Sequence, residues 1–192
     1  SLRPWLAMKV AGIEFEEKLI LLFDDDWKAN IAKVSPSARV PVLTDGDLTL
    51  WETMAILEYL AERHPDKGLW PEDVNARAIA RAVSNEMHAG FTALRGNMPM
   101  NIRKSHPGKG IGEGVADDIA RICEIWNDCR SRFGSGGDFL FGNFSIADAM
   151  FAPVVSRLTT HVVALDDVSA TYRDAVEALP EMIEWSDAGR AE

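Results

Sequence analysis

Two residue pairs in the stretch SARVPVLTDGDLTLWETMAILEYL (37–60), Val40-Pro41 and Glu52-Thr53, have types and surroundings that could do chemistry. Proline has no N–H, so at the start of an apolar strand it removes a ladder donor and belongs at an edge or a turn. An edge strand that begins after a trans-proline is one reading. A cis bond is the other, and it would leave the N–H and C=O of Val40 facing outward, where an extended peptide can pair with them. Glu52-Thr53 stands where a helix should begin. Helix capping accounts for such a pair, because polar and acidic side chains suit a first turn. The same free N–H groups also make a carboxylate site. Thr53 would then bind a carboxylate while Glu52 accepts from an ammonium, and the two would recognise an α-amino acid end.

An edge for a short extended peptide, beside a helix start that holds an amino-acid end, suits a γ-glutamyl tripeptide. The surrounding elements must position both. In LRPWLAMKVAG (2–12), Leu2, Trp5, Leu6 and Val10 fall at helical spacing, with Pro4 in the first turn and Gly12 as a C-cap. Lys18–Phe23 reads as a strand and Asp24–Val34 as a short capped helix. Val40–Thr44 and Leu48–Trp51 flank an Asp-Gly-Asp turn and read as a hairpin. From Glu52 a helix carries Met54, Ile56, Leu57 and Leu60 on one stripe and ends before Pro65. HPDKGLWPED (64–73), with two prolines and a glycine, reads as a linker.

Beyond the linker the period stays helical. One long helix over NARAIARAVSNEMHAGFTALRGNM is expected to bend near Gly90, and four more follow within 112–192. The expected organisation is an α/β domain at 1–64, a linker at 65–72 and an all-helical domain at 73–192.

Composition narrows the class. The 192 residues carry a net charge of −10, and the basic residues are scattered singly, which argues against nucleic acid and anionic membranes as partners. Cys123 and Cys129 match neither a CxxC pair nor zinc-ligand spacing and read as free thiols in a reducing compartment. No stretch resembles a membrane span or a signal peptide, so the expectation is a soluble cytoplasmic protein. GKGIGEG (108–114) follows helix rather than strand and lacks GK[ST], which makes it a flexible loop. Asp24, Asp25 and Asp26 suit a solvated turn and helix cap, His64, His88, His106 and His161 lack HxxxH spacing, and no metal is expected. Leu2, Trp5, Trp51 and Trp126 read as core. Ser145 and Asp148 form an S-x-x-D capping box, with Phe144 and Ala149 as a weak staple, and its meaning is structural.

The segments SPSARVPVLTDGDLTLWETMAILEYLAER, GLWPED and FLFGNFSIADAMFAPVVSRL together resemble the cytosolic glutathione transferases over nearly the whole chain. The opening SLRPWLAMKVAG is similar to the first helix of bacterial serine-type members close to the zeta class. The resemblance implies a thioredoxin-like N-terminal domain, whose first strand would lie upstream of Ser1, followed by an all-α domain. It implies glutathione as co-substrate, a small electrophile as second substrate, and a homodimer. By the same resemblance Val40 pairs with the cysteinyl unit, Pro41 is the family's cis-proline, and Glu52 and Thr53 hold the γ-glutamyl end. Arg39 would reach the tripeptide's other carboxylate or stand solvated. Ser1, Leu2 and Arg3 match the last three positions of a Ser-Ser-x-Ser-x-Arg pattern. The serine that holds the thiolate would then lie just upstream, and Ser1 is the candidate within the chain, with helix capping as its other role. Met87, His88, Phe91 and Met98 would line the second-substrate pocket, with core packing equally open for the apolar ones. The expected activity is transfer of glutathione to an electrophile. A glutathione-dependent isomerase, thiol–disulfide chemistry and a binding module without turnover are the alternatives. The first 122 residues hold no cysteine, which weighs against the thiol–disulfide reading.

Overall fold

The computed structural model describes residues 1–21 and 25–191. The first helix, α1 (Leu2–Val10), ends as its glycine requires: Gly12 sits at φ +63°, its N–H reaches Lys9 O, and the N–H of Ile13 reaches Met8 O. That pair of bonds is a Schellman closure, which satisfies carbonyls the helix end would leave open. Leu2, Trp5 and Leu6 are buried on one side of α1.

Lys18–Leu21 is not a strand, contrary to the expectation, and Leu22, Phe23 and Asp24 lie outside the described residues. Leu19 is 74% exposed and Leu21 51%. Apolar propensity makes a strand only where a neighbour takes its N–H and C=O groups, and among the described residues no strand pairs with this segment. The short helix α2 (Trp27–Val34) follows, with Asp26 at its N-cap position but no side-chain cap bond.

The hairpin is present. β1 (Val42–Asp45) and β2 (Leu48–Trp51) run antiparallel, pairing Val42 with Trp51 and Asp45 with Leu48. Gly46 takes φ +57° in the tight turn, the conformation its missing Cβ allows. Trp51 is 41% exposed at the open end of the hairpin rather than in the core. α3 (Thr53–Arg63) then buries Ile56, Leu57 and Leu60.

The linker holds a 3-10 turn at Pro65–Lys67 and buries Leu69 and Trp70. The long helix expected next is two: α4 (Val74–Ala89) and α5 (Thr92–Asn97). The chain breaks at Gly90-Phe91, with Phe91 left-handed at φ +58°, a conformation that ends a helix. α6 (Val115–Phe133), α7 (Ile146–Thr160), α8 (Asp167–Glu177) and α9 (Pro180–Ala191) complete the helices. α7 is buried almost all round and packs against α1, α4 and α8, as an apolar helix at the centre of a fold must. Trp126 meets Tyr172 and Phe151 edge-on beside it, with ring centroids 4.8 and 5.9 Å away. One core runs from α1 and α3 through to α9. Among the described residues no helix is long and apolar enough to cross a membrane.

The capping box sets the start of α7. The Asp148 carboxylate accepts from Ser145 N–H at 2.8 Å, Ser145 Oγ at 3.0 Å and Leu140 N–H at 3.1 Å. Burial pushes its pKa up from the ordinary 3.8 to about 6, against the pull of those donors. A carboxyl whose folded pKa is raised gives its full stability below the unfolded value and loses it as pH rises through the folded one. Wild type should therefore lose stability relative to Asp148→Asn as pH rises from about 4 through about 6. Denaturant unfolding of both proteins across that range checks it, and parallel pH profiles would contradict it.

Candidate functional site

The hairpin register brings the two pairs together. Val42 pairs with Trp51, so Pro41 and Glu52 lie next to each other at one end of the two-stranded sheet. The Val40–Pro41 peptide bond is cis. Val40 is 43% exposed, and its N–H and C=O have no hydrogen-bond partner among the described residues. The loop before it is held by one buried hydroxyl. Ser35 Oγ donates to Arg39 O at 2.7 Å and accepts from Arg39 N–H at 3.1 Å. Ala38 within that loop takes φ +53°. The sequence reading missed Ser35; the Ser35-Pro36-Ser37 run was the available signal, since serine bonds its own neighbouring backbone at turns. The Arg39 side chain is exposed.

Glu52 occupies the N-cap position of α3 with φ +69°, a conformation costly for a residue with a Cβ. Its carboxylate makes no bond to its own helix. It faces α4 instead, with Oε2 3.6 Å from His88 Nε2. The capping reading of this pair is therefore incomplete: Thr53 opens the helix, yet no side chain closes it. The N–H groups of Thr53, Met54 and Ala55 have no acceptor among the described residues, and the first helical bond is Ile56 N–H to Glu52 O. Three donors with the dipole behind them make a seat for an anion. A carboxylate beside them can take an ammonium.

Ser1 is exposed at the N-cap position of α1, and its hydroxyl makes no bond to the helix. Of the residues expected to line a second pocket, Met87, Phe91 and Met98 are buried in the core. Packing claims them because α4 and α5 turn that face inward onto α7 and α6. His88 is half-exposed. Cys123 and Cys129 are free thiols, and burial pushes Cys129 up to about 12, far from a nucleophile's range.

Clefts elsewhere do not contain these residues. One of about 530 Å³ lies between Asn101–Ser105, the end of α7 and α9. Another of about 390 Å³ lies under the linker beside Phe133, Phe141 and Phe144. Among the described residues no group of three or more His, Cys, Asp or Glu could hold a metal ion.

The family models for the glutathione S-transferase N-terminal and C-terminal domains match residues 1–63 and 109–188. Glutathione S-transferase Z1 of Arabidopsis thaliana is 33% identical over 160 residues, covering 80% of this chain and 70% of its own. The chain belongs to the glutathione S-transferase family. A probable maleylacetoacetate isomerase of Caenorhabditis elegans is 26% identical, covering 79% of this chain and 73% of its own. Among solved structures, a glutathione transferase homologue from Burkholderia gl BGR1 with bound glutathione superposes with a TM-score of 0.74. It is 24% identical and covers all of this chain and 91% of its own. The relatives place this chain near the zeta class of the family, and the fold is the thioredoxin-like domain with a helical domain that the family has.

Proposed function

We propose that this transferase binds glutathione between the Val40 backbone and the start of α3 and stabilises its thiolate for attack on a small electrophile. The observation that carries the reading is the pairing of unmet groups at one end of the hairpin. Val40 offers an N–H and a C=O, α3 offers its first N–H groups, and Glu52 offers a carboxylate free of its own helix. An extended γ-glutamyl tripeptide complements all three. Its cysteinyl unit pairs with Val40, its α-carboxylate meets Thr53 and the helix end, and its ammonium meets Glu52. Arg39 stands exposed within the same loop for the glycyl carboxylate. In this reading residues 1–64 bind the tripeptide, 65–72 link, and 73–192 supply the second pocket. The protein works as a homodimer, as the family does.

The thiol of glutathione resembles that of a free cysteine, with a pKa of about 8.5, so little of it is thiolate at neutral pH. A hydroxyl at a helix N-terminus can donate to the thiolate with the dipole's help, and Ser1 is the candidate the chain offers there. The thiolate then attacks an electrophilic carbon: a C–S bond forms, the leaving group departs with the bond pair, and the thiol proton goes to solvent. Glutathione-dependent release of chloride from a chlorodinitroarene tests the reaction. Removal of one hydrogen bond to the thiolate in Ser1→Ala should raise the apparent pKa of kcat/KM by about one unit. An unchanged pH profile would take the thiolate's donor away from Ser1.

The isomerase reading has one observation in its favour, the relative from Caenorhabditis elegans. The two readings part on stoichiometry. A transferase consumes glutathione mole for mole with product, whereas an isomerase returns it unchanged.

A further inference from the structure

The linker crosses over the cleft of about 390 Å³, which contains none of the residues of the tripeptide site. Its walls are aromatic: Trp70 of the linker, Phe133 at the end of α6, and Phe141 and Phe144 ahead of α7. Its rim is acidic, with Glu72 and Asp73 exposed where α4 begins. Among the described residues that line it, none is basic. The cleft of about 530 Å³ is the opposite case, with Arg103, Lys104 and Arg190 in its lining.

Contacts on the flanks fix the walls. Ile146 N–H donates to Leu69 O at 2.9 Å and ties the linker to the start of α7. Trp70 Nε1 donates to the Glu58 carboxylate at 3.1 Å. Phe133 and Phe141 stack with ring centroids 5.5 Å apart, and Phe144 meets Phe139 edge-on at 5.5 Å. A cleft formed in advance, mostly apolar and with a few polar groups at one side, is the usual form of a small-molecule site.

The two rim carboxylates are left over. Asp73 Oδ1 caps α4, accepting from Asn75 N–H at 3.0 Å and Ala76 N–H at 2.8 Å, while its Oδ2 has no partner among the described residues. The Glu72 carboxylate has none either. The nearby guanidiniums are committed: Arg77 donates to the carbonyls of Pro71 and Glu72, Arg81 holds Glu58 and Arg132 holds Asp128. Two of them show what these rings attract. Arg81 Cζ lies 5.4 Å from the Trp70 ring, and Arg132 Cζ lies 4.6 Å from the Phe133 ring. An aromatic face draws a cation through its quadrupole, more strongly where water is displaced. Unpaired carboxylates at the mouth add to the same preference.

We propose that this cleft binds an organic ammonium ion, with its hydrocarbon part against Trp70, Phe141 and Phe144 and its charge beside Glu72 and Asp73. The site stands whether or not the glutathione reading does. Benzyltrimethylammonium is titrated by calorimetry into wild type, Glu72→Gln/Asp73→Asn, Phe141→Leu and Glu52→Ala. The first variant keeps its helix cap, because asparagine caps as well as aspartate. Phe144→Leu replaces Phe141→Leu if that variant does not fold.

Wild type should bind one cation per chain with a Kd below about 1 mM. The charge variant should bind it at least about tenfold more weakly, and the leucine variant several-fold more weakly. Glu52→Ala should bind as wild type does. No saturable heat from folded wild type overturns the proposal, as does binding that either the charge variant or the leucine variant leaves unchanged. Binding lost in Glu52→Ala also overturns it, by moving the cation to the ammonium seat of the tripeptide site.

Discussion

Asp148→Ala should lower the unfolding midpoint by about 10 °C, the largest stability effect expected of any single polar substitution in this chain. The carboxylate is fully buried and is the acceptor for Leu140 N–H, Ser145 N–H and Ser145 Oγ. Leu140 and Ser145 are buried too, so truncation strands three donors where water does not reach them. Each stranded donor costs about 1–3 kcal/mol, and the sum is on the order of 3–5 kcal/mol once the site relaxes. The effect is amplified by what depends on it: α7 begins at this box and packs against α1, α4 and α8. Asp148→Asn should fall between the two, because its amide oxygen can still accept while its NH2 faces donors. Calorimetric melting of the three proteins measures this. A midpoint within about 2 °C of wild type for the alanine variant would show that the box is not what holds α7 in place.

The second large effect concerns binding. The double variant Glu52→Ala/Thr53→Ala should lose glutathione affinity by about 100-fold or more. Two charge-assisted contacts disappear, each worth about 1.5–3 kcal/mol, and about 1.4 kcal/mol is tenfold. Stability should change by no more than about 1 kcal/mol, because Glu52 makes no bond to its own helix, its contact with His88 is partly exposed, and the buried Thr53 side chain makes no cap bond at the helix start. That contrast separates a binding role from capping. Were the pair only a cap, the double variant would melt early and bind as before.

The hairpin, the helix stripes and the capping box were legible because each rests on local chemistry. Gly46 between apolar runs marks a turn, Ile56, Leu57 and Leu60 repeat at helical spacing, and Ser145 and Asp148 sit three apart before an apolar stretch. What was not legible depends on partners distant in sequence. Lys18–Leu21 has the composition of a strand, but strands are decided by neighbours. The break at Phe91 hides in a helical period, since nothing in the sequence marks an aromatic residue as left-handed. Trp51 has the size of a core residue and lies at the hairpin's open end.

At the candidate site, Val40, Pro41, Glu52 and Thr53 could be named from residue types, and the register of β1 with β2 is what puts them side by side. The positive φ of Glu52, the clamp of Ser35 on Arg39 and the approach of His88 to Glu52 could not be named, because each is a property of the assembled fold.

The central claim is that the open start of α3 and the Val40 backbone seat a γ-glutamyl tripeptide by its amino-acid end. Calorimetric titration of glutathione into the folded protein, beside glutathione acetylated on its γ-glutamyl amine, tests it most directly. Saturable binding of one glutathione per chain, with the acetylated peptide bound at least about tenfold more weakly for want of its charge on Glu52, is the predicted result. No saturable heat from folded protein, or equal binding of the two peptides, would contradict it.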